Sequence, residues 1–166
     1  ISVPIFADWC VVDVAGTDGA LVRRAVSPRD SVDAKVGIAS IAQRAPVPNQ
    51  QVVIERVFRT GIPEWIADSP DAVLGDVPRS DDDLRLARQL GVRSFLCCPL
   101  RTQAGTLGVI SFATSLSGRT YSAADLIAAE DLANRMAIAI ENGSLLAALR
   151  DADRRKDEFL AMLAHE

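Results

Sequence analysis

The chain has 166 residues, 49% of them apolar and 24% charged, with a formal net charge of −4. That length and composition fit one soluble globular domain with a helical appendage. The acidic balance excludes a nucleic-acid surface, which needs a basic stripe, and no apolar run is long enough to span a bilayer. Three cysteines at irregular spacing fit a reducing cytoplasm better than a disulfide framework. No signal-peptide pattern opens the chain.

Residues 6–14 are apolar and β-branched, Gly16-Thr17-Asp18-Gly19 supplies a turn, and residues 21–26 run extended again, which predicts a hairpin. Residues 28–45 carry a mixed apolar face consistent with a helix. A second helix is predicted over 49–59, where Val52, Val53, Val57 and Phe58 fall at helical spacing and Gly61 stops it. Residues 63–67 form a short strand candidate. Residues 81–90 read as a helix with aspartates in its first turn, where they meet the positive end of the dipole. Residues 93–101 and 106–114 predict the clearest hairpin, joined by Thr102-Gln103-Ala104-Gly105.

The last helix begins at Ser122, with Ser122 and Asp125 as a capping box. No proline follows, so one helix of about 66 Å is possible. From residue 138 onward, Ile138, Asn142, Leu145, Leu149, Ala152, Lys156, Phe159 and Leu163 repeat at a 4-3 spacing. That is a coiled-coil seam, and it predicts a homodimer. Gly143 interrupts the helix beside the start of the seam, as a hinge or as a site of close helix packing.

Cys97 and Cys98 are neighbours on a strand and must point to opposite faces, so core packing is their plainest role, as it is for Cys10. The chain's one histidine, His165, lies off the seam on a charged helix and faces solvent, with Glu166 beside it. An imidazole with an ordinary pKa of about 6.5 is largely neutral and nucleophilic near neutral pH. No metal-ligand cluster and no glycine-rich phosphate loop with a lysine occur.

The order of these elements up to residue 140 resembles a GAF domain. The resemblance is carried by residues 7–13, by Arg56-Val57-Phe58-Arg59-Thr60-Gly61, by residues 91–100 and 107–112, by Tyr121-Ser122 with Asp125, and by residues 137–142. It implies an α+β fold: a GAF-like antiparallel sheet flanked by helices, with a long C-terminal coiled-coil helix. The domain would span 1–142 and the signalling helix 143–166. By alignment with ligand-binding members, Asp8, Ser27, Ile54 and Ser111 fall near pocket positions for an unknown small molecule. The Asn-Lys pair and acidic signature of cyclic-nucleotide binders, the pocket histidine of haem binders and the loop cysteine of bilin binders are not matched.

Phe159, His165 and Glu166 resemble the start of the phospho-acceptor helix of sensor histidine kinases, where a histidine follows the phenylalanine by six residues. The motif stops at Glu166, before the family's Leu-Arg-x-Pro-Leu continuation, so the chain reads as a piece of a longer protein. The resemblance implies a cytoplasmic two-component kinase in which His165 accepts phosphate, Glu166 orients the ring and takes its proton, and a response regulator receiver domain is the partner. ATP and magnesium would be held by another domain of the parent, and no cofactor is expected in this chain, which should be inactive alone. The alternatives are an interaction and dimerisation module without a small-molecule ligand, and a cysteine-based redox GAF protein.

Overall fold

In a computed structural model, the structure describes residues 3–28, 53–67, 91–115 and 117–163. Apolar, β-branched runs buried on both faces build one antiparallel sheet of five strands. After a helical turn α1 (Val3–Phe6) come β1 (Trp9–Ala15), β2 (Leu21–Pro28), helix α2 (Val53–Thr60), β3 (Glu64–Ile66), β4 (Ser94–Thr102), β5 (Gly105–Thr114) and the long helix α3 (Ala123–Leu163). The spatial order is β2-β1-β5-β4-β3. Both expected hairpins form, with β1 against β2 and β4 against β5, and β1 closes on β5 to join them. The two helices predicted over 28–45 and 81–90 lie outside the described residues, except that Pro28 ends β2.

Strand alternation divides the core in two. On one face Cys10, Val12, Leu96, Cys98, Leu100, Ile110 and Phe112 pack beneath α3, which contributes Ala129, Ala133 and Ala137. On the other face Leu21, Cys97 and Val109 pack beneath α2, which contributes Val53 and Val57. The adjacent thiols Cys97 and Cys98 therefore belong to different cores. At Gly108 a Cβ would collide with the Asp13 carbonyl and stand 2.8 Å from Val14 Cα, so only glycine lets β1 and β5 approach this closely.

The expected strand over 6–14 starts too early. Phe6 belongs to α1, and its ring meets Phe112 edge-on at 5.0 Å and Tyr121 at 5.5 Å. It is apolar because it plugs the end of the α3-side core, not because it alternates in a sheet. The α2 helix ends as its sequence foretells: Gly61 takes φ of 66° and its N–H donates to the Val57 carbonyl at 2.9 Å.

At its start, α3 is capped reciprocally. The Ser122 N–H and Oγ both donate to Asp125 Oδ2, at 2.8 and 2.7 Å, and the Asp125 N–H lies 3.4 Å from Ser122 Oγ. Arg119 pairs with the other carboxylate oxygen. Burial alone would raise the Asp125 pKa, but the Ser122 bonds and the Arg119 charge outweigh it and hold the carboxyl below its ordinary value. The helix runs unbroken for 41 residues, about 62 Å. Gly143 lies within it, and a Cβ there would meet nothing within 4 Å. Close packing against the described residues is thus no reason for a glycine at that position.

Candidate functional site

The α2 side of the sheet carries the polar groups that a sensor face would use. Asp13 stands in an otherwise apolar strand and is fully buried. Such a carboxylate needs a partner, and the ladder supplies one, because Asp13 is in register with Arg23 on β2. Arg23 Nε donates to Oδ1 at 2.9 Å and Nη2 donates to Oδ2 at 3.2 Å, a two-pronged pair. The β1–β2 register slips between Val12 and Asp13, and a bulge of this kind re-aims the side chains that follow it. Glu55 on α2 faces this pair, and its pKa is raised first by burial and then by the Asp13 charge.

Ser111, buried on the same face, donates from Oγ to Cys97 Sγ at 3.4 Å. Ile54 and Phe58 pack around the Val53, Val57 and Val109 cluster. Two of the four sequence-predicted ligand residues, Ile54 and Ser111, therefore lie on the same side of the sheet, beside the cluster that contains Cys97. The other two do not join them. Ser27 is exposed and in register with Cys10, which packs on the α3 side. Asp8 is buried at the end of the sheet, where Oδ2 accepts from the Ser115 N–H at 2.7 Å, the Ser117 N–H at 2.9 Å and Ser117 Oγ at 2.7 Å. Trp9 Nε1 donates to Ser115 Oγ at 3.1 Å. Asp8 thus ties down the turn between β5 and α3.

Sequence reasoning passed over Asp13, Arg23 and Glu55. The signal was present: a charged residue inside the run Val11-Val12-Asp13-Val14 requires a buried counter-charge.

The seam on α3 is open to solvent over its described part. Ile138 is 57% exposed, Leu145 59% and Leu149 67%. On the flanks, Arg154 Nε lies 3.0 Å from Glu158 Oε1, one turn apart. The Phe159 and Leu163 side chains, and all of His165 and Glu166, lie outside the described residues.

All three cysteines are free and buried. Burial pushes the Cys10 thiol up to about 11 and is the largest cause in raising Cys98 to about 12; Cys97 is raised further still, also by burial. Among the described residues no group of three His, Cys, Asp or Glu side chains converges to hold a metal ion, and no helix is long and apolar enough to cross a membrane.

Comparison with known proteins agrees with this architecture. The GAF-B domain of DevS from Mycobacterium smegmatis is similar at 20% identity with a TM-score of 0.58, covering 86% of each chain. A GAF domain/HD domain protein from Geobacter sulfurreducens has a TM-score of 0.64 at 14% identity, covering 84% of this chain and 83% of that one. The GAF domain of a phosphoenolpyruvate-protein phosphotransferase from Coxiella burnetii has a TM-score of 0.62 at 19% identity, covering 86% and 76%. These identities speak for the fold alone. No curated protein matches. The GAF domain profile matches residues 5–140, most of the chain, and the protein belongs to the GAF domain family, signalling modules for sensing and interaction.

Proposed function

We propose that this GAF domain is the input module of a cytoplasmic two-component sensor histidine kinase, acting as a homodimer that presents His165 for phosphorylation. The observation that carries the reading is α3. One helix leaves the sheet-packed domain and is described as far as Leu163, with an apolar stripe in solvent and His165 two residues further along the chain. A partner helix covering that stripe would make a rigid pair, and a shift in the domain would move both histidines.

In the intact kinase the His165 imidazole would attack the γ-phosphorus of ATP, forming an N–P bond as the bond to the β,γ-bridging oxygen breaks and ADP leaves, while Glu166 orients the ring and takes its proton. The phosphoryl group would then pass to an aspartate of a response regulator receiver domain. Nucleotide and magnesium would be held by another domain of the proposed parent. Labelled ATP with the parent's ATP-binding domain should place acid-labile phosphate on His165 alone. His165→Gln should abolish labelling while leaving the circular dichroism unchanged. Acid-labile label persisting in that variant would remove the reading.

A dimerisation module without a small-molecule ligand is the second reading. It is favoured by the way the described α2 face is filled with the chain's own side chains, Val57, Cys97 and Val109 being wholly buried. A metabolite library separates the two, because a ligand specific to the folded state must raise the melting temperature. Thiol-based redox chemistry is disfavoured, since buried thiols with raised pKa hold almost no thiolate. Rapid modification of native cysteines by a thiol reagent would reinstate it.

A further inference from the structure

The two faces of the sheet carry different equipment: α2 with the buried Asp13–Arg23 pair on one side, the long helix on the other. The sheet stands between them, and a side chain at its margin that touches both layers would connect them directly. Arg101 supplies a candidate. It lies near the end of β4, immediately after a register slip between Leu100 and Arg101, and is half-exposed at the sheet's margin.

From there its guanidinium reaches both layers. Nε donates to the Gly61 carbonyl at 2.9 Å, and Nη2 donates to the same oxygen. This carbonyl sits at the C-terminal end of α2, where unpaired carbonyls carry the negative end of the helix dipole. Nη1 lies 3.8 Å from Glu130 Oε1 on α3. The buried Cys98 thiol beneath them feels both charges: after the larger effect of burial, Glu130 raises its pKa and Arg101 lowers it.

We infer that Arg101 is a coupling strut, through which a change at the C-terminal cap of α2 alters the hold on the long helix at Glu130, and the reverse. One guanidinium is shared between an acceptor at the end of α2 and one on α3. Strengthening either contact draws the group away from the other. Glu130 lies in the sheet-packed part of α3, upstream of Gly143 and the seam, where a small displacement enters the output helix at its root. The inference deepens the sensor reading by naming a route, but its test requires no ligand and no kinase activity.

Glu130→Gln removes the charge from α3 without touching any atom of α2. Amide hydrogen exchange should then change about threefold at Gly61, whose N–H is bonded to Val57, the scale expected for a partly exposed ion pair. Asp131→Asn, which removes a neighbouring exposed charge paired with Arg135, should leave Gly61 unchanged. In an Arg101→Leu background, Glu130→Gln should have no further effect at Gly61. Exchange at Gly61 that is unaltered by Glu130→Gln overturns the inference and leaves Arg101 as a helix cap. An equal response to Asp131→Asn overturns it too, because the effect would then be a diffuse charge effect. If Arg101→Leu does not fold, the comparison of Glu130→Gln with Asp131→Asn still decides.

Discussion

The two halves of α3 invert the usual ranking of hydrophobic residues. In the first half Ala129, Ala133 and Ala137, four residues apart, are completely covered by the sheet, and Leu126, Leu132, Met136 and Ile140 pack around them. In the second half the larger Leu145, Leu146 and Leu149 stand in solvent. Burial here is set by what lies under each face rather than by apolarity, and small side chains are what let the helix sit close to the strands. At about 100° per residue, the leucine stripe lies about 140° round the helix from the alanine stripe. It also extends further back than the sequence pattern places it, because Ile127, 70% exposed, falls on the same line as Ile138 and Leu145. One stripe is covered within the chain; the other stands open to solvent over its described part.

Breaking the satisfied stripe should have the largest effect. Ala133→Asp places an unpaired charge against the α3-side core and should cost about 3–5 kcal/mol in urea denaturation. Ala148→Asp, an exposed position beyond the sheet, should cost almost nothing. Equal losses would mean that the two halves do not differ as described. Next comes the open stripe. Leu149→Asp should weaken self-association about tenfold or more, or ~1.4 kcal/mol, while leaving the unfolding of the domain unchanged. A native chain that sediments as a monomer at high concentration would remove the seam. A dimer indifferent to the substitution would move the interface elsewhere.

Gly143 marks the junction between the halves. Because a Cβ there meets nothing, Gly143→Ala should stabilise the helix by about 1 kcal/mol. In an intact kinase the stiffened helix should hold output at one level. A variant that is more stable yet responds normally to its signal would rule out a hinge.

The smallest effect concerns the cap that begins the packed half. A carboxyl whose folded pKa is depressed adds stability that is fully present above its unfolded pKa and is lost as pH falls through the folded value. For Asp125 that loss begins near the ordinary value of 3.8 and continues below it. Thermal unfolding of Asp125→Ala should show the wild-type advantage at neutral pH shrinking across this acid window. An advantage that is constant with pH would mean that the carboxylate charge plays no part in the cap.

Local rules made much of this molecule legible. The Ser122–Asp125 box, the Gly61 stop and the β4–β5 hairpin each depend on residues a few positions apart, and each forms as its sequence foretells. Reading failed where the partner is remote. Apolarity alone places Phe6 in a strand, because it does not reveal the contacts with Phe112 and Tyr121. Asp8 and Ser27 were grouped with Ile54 and Ser111, yet pairing and register send them to the turn after β5 and to the α3 side.

Periodicity, turn chemistry and capping thus determined the two hairpins, the stop of α2 and the continuous last helix, because those signals are short-range and repeat along the chain. Only the tertiary structure decided which face each side chain serves. It joined Asp13 to Arg23 through strand register, and brought Arg101 within reach of both Gly61 and Glu130. Those contacts depend on strand order and on a single-residue slip in pairing, which no local pattern encodes.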